Sequence, residues 1–245
     1  MKILEDIYVV GGGNSGIGIS APLDCNIYLI DGGTDSVLID AGVGVNTKKI
    51  FDNILLESID KKKISKLILT HAHLDHSGGA AQIKKFINPK IYASEIEAPY
   101  IESGDEDAIG LTMAKKSKVY PKSYKMFPEK IDNTLKGGEE IVVGKYTLRI
   151  ISTPGHSKGS VCILLEGHKK KVLFTGDTVF MNGLICLFNL PDSSLADYRV
   201  SIKKLSKLSI DCLIPSHHGF TLSNGQSHIN MAINALENLW VPRMV

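Results

Sequence analysis

Up to about residue 45, short hydrophobic runs alternate with turn-forming clusters, the pattern of β structure. Ile3 to Val10 reads as a strand. Asn26 to Ile30 and Ser36 to Ile39 are apolar runs joined through Asp31-Gly32-Gly33-Thr34, a hairpin signal. From Thr47 to Ser58 the period changes, with Ile50, Ile54 and Leu55 at helical spacing. Ile64 to Thr70 is a short apolar strand. Ala80 to Phe86 reads as a helix that stops ahead of Asn88-Pro89, because a proline disfavours helical backbone in the residue before it. Lys90 to Ala93 is another strand. After Gly137-Gly138 the β pattern returns over Glu140 to Val143, Thr147 to Ile151, Ser160 to Leu165 and Lys171 to Phe174. A helix over Leu195 to Leu208, a strand over Cys212 to Ile214 and a helix over Ser227 to Leu239 close the chain.

Between these halves, from Ser94 to Lys136, the pattern is polar and broken by Pro99, Pro121 and Pro128. A helix is expected only over Asp105 to Ser117. A stretch of this length with little periodicity is either a functional lid or a loose insertion. Tyr100, Tyr120, Tyr124, Met113 and Phe127 could line a pocket for an acyl chain, form a homodimer contact, or simply pack the segment down. We read the chain as one domain over residues 1–245 with a candidate lid insertion at about 95–136.

Composition narrows the function classes. Hydrophobic residues make up 43% and charged residues 22% of 245 residues, which excludes a disordered tail, a collagen repeat and a coiled coil. The net charge of +2 is too balanced to imply a nucleic-acid or membrane partner, so a small-molecule substrate is expected. Lys61-Lys62-Lys63 and Lys169-Lys170-Lys171 each precede an apolar run and read as solvated turns. The four cysteines, Cys25, Cys162, Cys186 and Cys212, form no C-x-x-C pair and sit among apolar neighbours. The N-terminal stretch is broken by Glu5 and Asp6 and lacks a signal-peptide core. A soluble, cytoplasmic protein is the expectation.

Eight histidines carry the chemistry. Three lie in Thr70-His71-Ala72-His73-Leu74-Asp75-His76, an H-x-H-x-D-H motif. His71 follows the strand Leu67-Ile68-Leu69, and His156 follows Leu148 to Ile151 through Pro154-Gly155. Asp177 follows Val172-Leu173-Phe174, and His217 follows Cys212-Leu213-Ile214. Four ligand-type positions thus emerge from the C-terminal ends of four apolar strands, where a rigid sheet holds functional loops. Imidazole and carboxylate suit Zn²⁺ and related ions. Within the motif, His71 and His73 would point one way, Asp75 and His76 the other. His156 would complete one ion's ligands, His217 the second's, and Asp177 could bridge. Two ions about 3.5–4 Å apart can hold a hydroxide and polarise a substrate oxygen. Clustering this many such groups without a metal would be costly. His168 is expected to be an exposed turn residue, and His228 a surface or capping residue.

With these motifs the chain resembles the metallo-β-lactamase fold superfamily, in particular its glyoxalase II-like hydrolases. The resemblance rests on Val37-Leu38-Ile39-Asp40-Ala41-Gly42, Thr70 to Gly79, Thr153-Pro154-Gly155-His156-Ser157, Phe174 to Phe180 and Ile214-Pro215-Ser216-His217, in family order. It implies an α/β fold, an αβ/βα four-layer sandwich, with metals at one edge of its two central sheets. It implies as metal ligands His71, His73, Asp75, His76, His156, Asp177 and His217, holding two divalent ions, zinc ahead of iron or manganese. It implies a structural role behind the ligands for Asp40. An aspartate at 177 resembles the thioesterase and lactonase branches, since β-lactamases of this fold commonly carry Cys or Ser there. The last motif reads Pro-Ser-His-His where Pro-Gly-His-Gly is usual; counting from Pro215 assigns His217, with His218 the alternative. The stretch after His217 is short and holds one predicted helix, which puts the glutathione thioester of glyoxalase II in doubt.

One motif is a decoy. Gly11-Gly12-Gly13-Asn14-Ser15-Gly16 fits G-x-G-x-x-G, but Ile17 to Pro22 continues as loop. A dinucleotide site needs a helix there to hold the pyrophosphate. A flexible loop bordering the metal cleft is expected instead. The leading function is a binuclear metal-dependent hydrolase in which a metal-bound hydroxide attacks an ester-like carbonyl, a thioester or a lactone, with Asp75 as the catalytic residue that orients it and shuttles a proton. The alternative is a mononuclear iron persulfide dioxygenase of the same fold, using His71, His156 and Asp177.

Overall fold

The computed structural model describes every residue except 189, 191, 239 and 245. The chain divides into two compact units, Met1–Leu135 and Lys136–Val245. Among the described residues, no helix is long and apolar enough to cross a membrane.

The first unit is built on a seven-stranded sheet whose spatial order follows the chain. Its strands are β1 (Lys2–Leu4), β2 (Ile7–Gly11), β3 (Ile27–Asp31), β4 (Ser36–Ile39), β5 (Ile64–Ile68), β6 (Lys90–Ser94) and β7 (Asn133–Leu135). β1 to β4 pair antiparallel, with short turns between β1 and β2 and between β3 and β4 and a longer loop over residues 12–26 between β2 and β3, and β4 to β7 pair parallel. Parallel strands need crossovers. The first is α1 (Lys48–Leu56), which buries Ile50, Phe51 and Ile54. The second includes a short turn of helix, α2 (Leu74–Ser77), and α3 (Ala80–Ile87). Ile27, Leu29, Leu38, Leu67, Ile83 and Ile91 join the buried core, consistent with the unbroken apolar runs of strands covered on both faces.

Two sequence expectations change here. The strand expected over Ile3 to Val10 is two strands, because Asp6 turns the chain at φ +61° and its carbonyl accepts from the Asp31 amide. The helix expected over Asp105 to Ser117 is confined to α5 (Leu111–Lys116), because Gly110 has φ +73° and breaks the helical path. An unforeseen α4 (Ala98–Ser103) precedes it, with Pro99 in its first turn, where the missing amide costs nothing. The helix ahead of Pro89 ends as expected, with Asn88 left-handed at φ +50°.

The second unit has a five-stranded sheet in the order β12-β11-β10-β9-β8. These are β8 (Glu140–Val143), β9 (Tyr146–Ser152), β10 (Val161–Glu166), β11 (Val172–Gly176) and β12 (Cys212–Pro215). Only β11 and β12 pair parallel. The crossover contains α6 (Leu195–Leu205), whose buried Tyr198, Ser201, Ile202 and Leu205 recur at i, i+3, i+4 and i+7. Ser194 caps it by accepting from the Asp197 amide at 3.2 Å. The last helix, α7 (Gly225–Glu237), buries Ile229, Ala232, Ile233 and Leu236. Leu239, expected to end it, lies outside the described residues.

Candidate metal centre

In the first unit, β4 and β5 run parallel and end side by side. The Asp40 amide donates to the Ile68 carbonyl at 2.9 Å, which brings Asp40 next to Thr70 and His71. The loops beyond are sewn together: the Ala41 amide donates to the His76 carbonyl at 2.7 Å, and the Gly79 amide to the Gly42 carbonyl at 2.8 Å. Glycine is required at 79, because a Cβ would lie 2.0 Å from the Ala41 carbonyl oxygen. Gly79→Ala is therefore expected to destabilise the protein by about 1–3 kcal/mol, the usual cost of overpacking, read as a lower melting midpoint.

Hydrogen bonds set the histidine tautomers. Thr70 Oγ1 lies 2.9 and 3.0 Å from the two carboxylate oxygens of Asp40, which only accept, so its single proton goes there. Thr70 Oγ1 therefore accepts from His71 Nδ1 at 3.1 Å, leaving the lone pair on Nε2. His76 Nδ1 donates to Asp40 Oδ2 at 2.9 Å, again leaving the Nε2 lone pair open to a ligand role. Asp40 is fully buried and supports both rings, the second layer by which proteins orient metal-binding histidines. His71 Nε2 faces His73 Nδ1 at 3.1 Å, and His76 Nε2 lies 3.5 Å from Asp75 Oδ2. Cys25 is a further neighbour of His76, its thiol pushed up by burial.

The second unit repeats the logic. Pairing of β11 with β12 puts Gly176 opposite Pro215, and the Ser216 amide donates to the Gly176 carbonyl at 3.0 Å, so Asp177 and His217 leave adjacent strand ends. His156 Nδ1 donates to the Cys186 carbonyl at 2.7 Å, which leaves its Nε2 lone pair open to a ligand role. Asp177 Oδ2 lies 3.7 Å from His156 Nε2 and 3.5 Å from His217 Nε2. The Tyr198 hydroxyl makes a forked donation to the carbonyls of Asp177 and Cys186, at 3.0 and 2.8 Å. Gly155 accommodates that tyrosine: at φ +148°, its Cβ would fall 2.7 Å from the ring. His218, at φ +58°, is exposed and set edge-on to Phe180, with ring centroids 6.0 Å apart.

These separations test the fit to a metal. Two nitrogen ligands on one tetrahedral zinc, each at about 2.05 Å, stand about 3.3 Å apart. The donor pairs within each unit, at 3.1 to 3.7 Å, match that edge, and their buried imidazoles and carboxylates are zinc-type donors. The residues present therefore fit divalent metal.

The metallo-beta-lactamase superfamily profile matches residues 21–217. The chain belongs to that superfamily. A probable metallo-hydrolase of Methanocaldococcus jannaschii is 32% identical over 199 residues, covering 78% of this chain and 86% of that protein. An acyl-coenzyme A thioesterase of Homo sapiens is 27% identical over 208 residues, covering 78% and 72%. A subclass B3 metallo-beta-lactamase of Bradyrhizobium japonicum superposes with a TM-score of 0.73 at 23% identity, covering 98% and 91%, a likeness of fold. The α/β metallo-beta-lactamase fold expected from the motifs is the fold of this chain.

Several supporting residues gave no sequence signal. Glu97, 2% exposed, accepts from the Ala72 amide at 2.7 Å, inside the superfamily motif but 25 residues away. Tyr198 and the Cys186 carbonyl lie on segments that sequence reading left unassigned to the site. The decoy loop is confirmed as non-helical but is pinned rather than flexible. The Ile17 amide donates to Asn26 Oδ1 at 2.9 Å, while Asp24 accepts from Ser20 Oγ at 2.5 Å and from the Val43 amide at 2.8 Å. Burial raises the Asp24 carboxyl above its ordinary range against the pull of those donors. His168 is half-buried in its turn rather than exposed, its Nδ1 3.1 Å from the Lys170 amide. His228 accepts from the Asn182 amide at 2.9 Å and so holds a turn.

Proposed function

We propose that the chain is a binuclear metal-dependent hydrolase of activated carbonyl esters, a thioesterase or lactonase. The observation that carries the reading is the Asp177 carboxylate between His156 and His217, an oxygen donor where lactamases of the fold commonly carry another residue. Similarity to an acyl-coenzyme A thioesterase supports the thioester class.

In this reading, which rests on the motif resemblance, His71, His73 and His156 would hold one ion and Asp75, His76 and His217 the other, with Asp177 offering an oxygen to each. When bound, the ions supply Lewis acidity that acidifies a water and polarises the substrate carbonyl. The chain's own groups do the rest. Asp40 and Thr70 hold His71 and His76 in the ligating tautomer. The Cys186 carbonyl does the same for His156. Asp75, its side chain 19% exposed, orients the nucleophilic water and takes its proton. An activated carbonyl needs little further help from the protein, whereas phosphodiesters need a basic surface to gather them.

The test is a metal-reconstituted screen across thioesters, lactones, β-lactams, phosphodiesters and glutathione persulfide, with elemental analysis alongside. We expect more than one metal equivalent and faster turnover of a thioester or lactone than of a β-lactam. Efficient β-lactam turnover would overturn the reading. One equivalent of iron, unchanged on zinc supplementation, would instead favour the persulfide dioxygenase.

The histidine pair has its own test. His217→Ala should lower metal content and activity together, by at least the ~10-fold typical of losing a ligand's support. His218→Ala should change neither strongly. The reverse result would move the ligand to His218.

A further inference from the structure

His71 and His73, given to one ion above, are separated by the single residue Ala72, and both peptide planes of that residue are pinned. On one side, the Ala72 amide donates to Glu97 Oε2 at 2.7 Å. On the other, the Ala72 carbonyl accepts from Ser77 Oγ at 2.7 Å, and the same hydroxyl lies 3.2 Å from the His73 carbonyl. Peptide units are planar, so a residue has only two soft dihedrals, φ and ψ. Holding the planes before and after Ala72 fixes both. The directions in which His71 and His73 leave the main chain are then fixed relative to each other, and His71 Nε2 meets His73 Nδ1 at 3.1 Å.

The Glu97 end of this clamp is anchored by its own main chain. β6 lies beside β5 in parallel pairing, and the Leu69 amide donates to the Tyr92 carbonyl at 2.9 Å, so β6 ends next to the strand that leads into Thr70 and His71. Just past the end of β6, the Glu97 amide donates back to the Ser94 carbonyl at 3.1 Å. The Glu97 carbonyl accepts from the Tyr100 amide at 3.0 Å and the Ile101 amide at 3.3 Å, in the first turn of α4. Ala98 and Ile101 bury that turn in the core of the first unit. Taking a carboxylate out of water is costly, so a buried one such as Glu97 is retained where it makes strong hydrogen bonds. The 2.7 Å length falls in the range of N–H bonds to an ionised acceptor.

We propose that Glu97 is a positioning residue for the metal centre, its carboxylate setting the Ala72 peptide so that His71 and His73 present their ring nitrogens to one ion in advance of binding. The proposal rests on the ligand roles given to the two histidines above. A site whose donors are already in place loses less freedom when the ion arrives. The segment read from sequence as lid or loose insertion thus opens on a fixed strut of the site.

The full chain is compared with Glu97→Gln and Glu97→Ala in three readouts. These are zinc retention against a chromogenic chelator, the visible spectrum of the cobalt(II)-loaded protein, and the amide resonance of Ala72 in metal-free protein. Glu97→Ala removes the acceptor. It should lower zinc retention by at least the ~10-fold lost with an outer partner of a ligand, and change the cobalt spectrum, which reports ligand geometry. Glu97→Gln keeps the size and an acceptor oxygen but not the charge. It should move the Ala72 amide proton upfield. It should also lower zinc retention by about 3-fold, half the full effect on a logarithmic scale, since bonds to a charged acceptor are roughly twice as strong as neutral ones. If Glu97→Ala shows no cooperative melting, Glu97→Gln decides alone. Glu102→Gln is the control: Glu102 Oε1 accepts from the Ile131 amide at 3.0 Å, in the same segment but off the motif loop. It should leave zinc retention and the cobalt spectrum unchanged. Unchanged zinc retention in the folded Glu97 variants, an equal loss in Glu102→Gln, or a lowered melting midpoint with the wild-type cobalt spectrum would each overturn the proposal. A wild type that retains no zinc would overturn the ligand roles and the proposal together. None of these readouts needs a substrate. If the wild type turns over no carbonyl ester, the function reading fails, while the metal and amide readouts still decide the role of Glu97.

Discussion

Asp75→Asn is expected to fold and to lose at least about 10²-fold in kcat, the contribution typical of a general acid–base group. The substitution keeps shape and most packing. The side chain is already 19% exposed and sits at the start of a one-turn helix, so no core cavity opens. On the proposed mechanism, what disappears is the negative charge and the ability to accept the proton of the attacking water. A melting midpoint near that of the wild type, measured beside kcat, separates loss of chemistry from loss of fold. Full activity in the folded variant would remove Asp75 from the reaction and leave it a ligand or less.

The second large effect is on metal. Asp177 is 6% exposed and its Oδ2 lies near Nε2 of both His156 and His217. Asp177→Ala should therefore cut metal affinity by at least the ~10–100-fold lost when even an outer partner of a ligand is removed. If the carboxylate is shared, both ions should be affected rather than one. Elemental analysis after dialysis, compared with the wild type, reads this directly. The main-chain carbonyl of Asp177 still accepts from Tyr198, so the strand end should keep its course and the fold should survive. Retention of a full metal complement by the folded variant would exclude a bridging role. The effect should exceed that of His217→Ala, which on the proposed assignment removes a donor to one ion alone.

Much of this molecule is legible in its sequence, for local reasons. The apolar runs around Val37, Leu67, Leu173 and Leu213 predict strands, and all four are strands. Side-chain periodicity is a property of neighbouring residues and needs no knowledge of the fold. The ligand-type residues at the ends of those runs were legible for the same reason: a strand's end is marked by where its apolar run stops. The superfamily motifs extend this, because a short loop that must turn tightly carries its glycines with it, as Gly79 does beneath Ala41.

Other features depended on residues far apart in the chain. The break of the first strand at Asp6 is stabilised by the Asp31 amide, which arrives only when β3 pairs with β2. The tautomers of His71 and His76 depend on Asp40, brought alongside by parallel pairing of β4 and β5. Glu97 lies in a stretch without clean periodicity, and its meaning comes from the amide it reaches, that of Ala72. Tyr198 reads in sequence as one apolar position of an amphipathic helix, and only its packing over Gly155 reveals a hydroxyl between two site carbonyls. By itself, then, the sequence determined most of the elements, the metal-type donors and the superfamily. Tertiary structure decided which nitrogen of each supported histidine keeps its lone pair and which remote side chains hold the motif loop. The physical reason is that a hydrogen bond requires two groups within about 3 Å, and only the folded chain brings such distant partners that close.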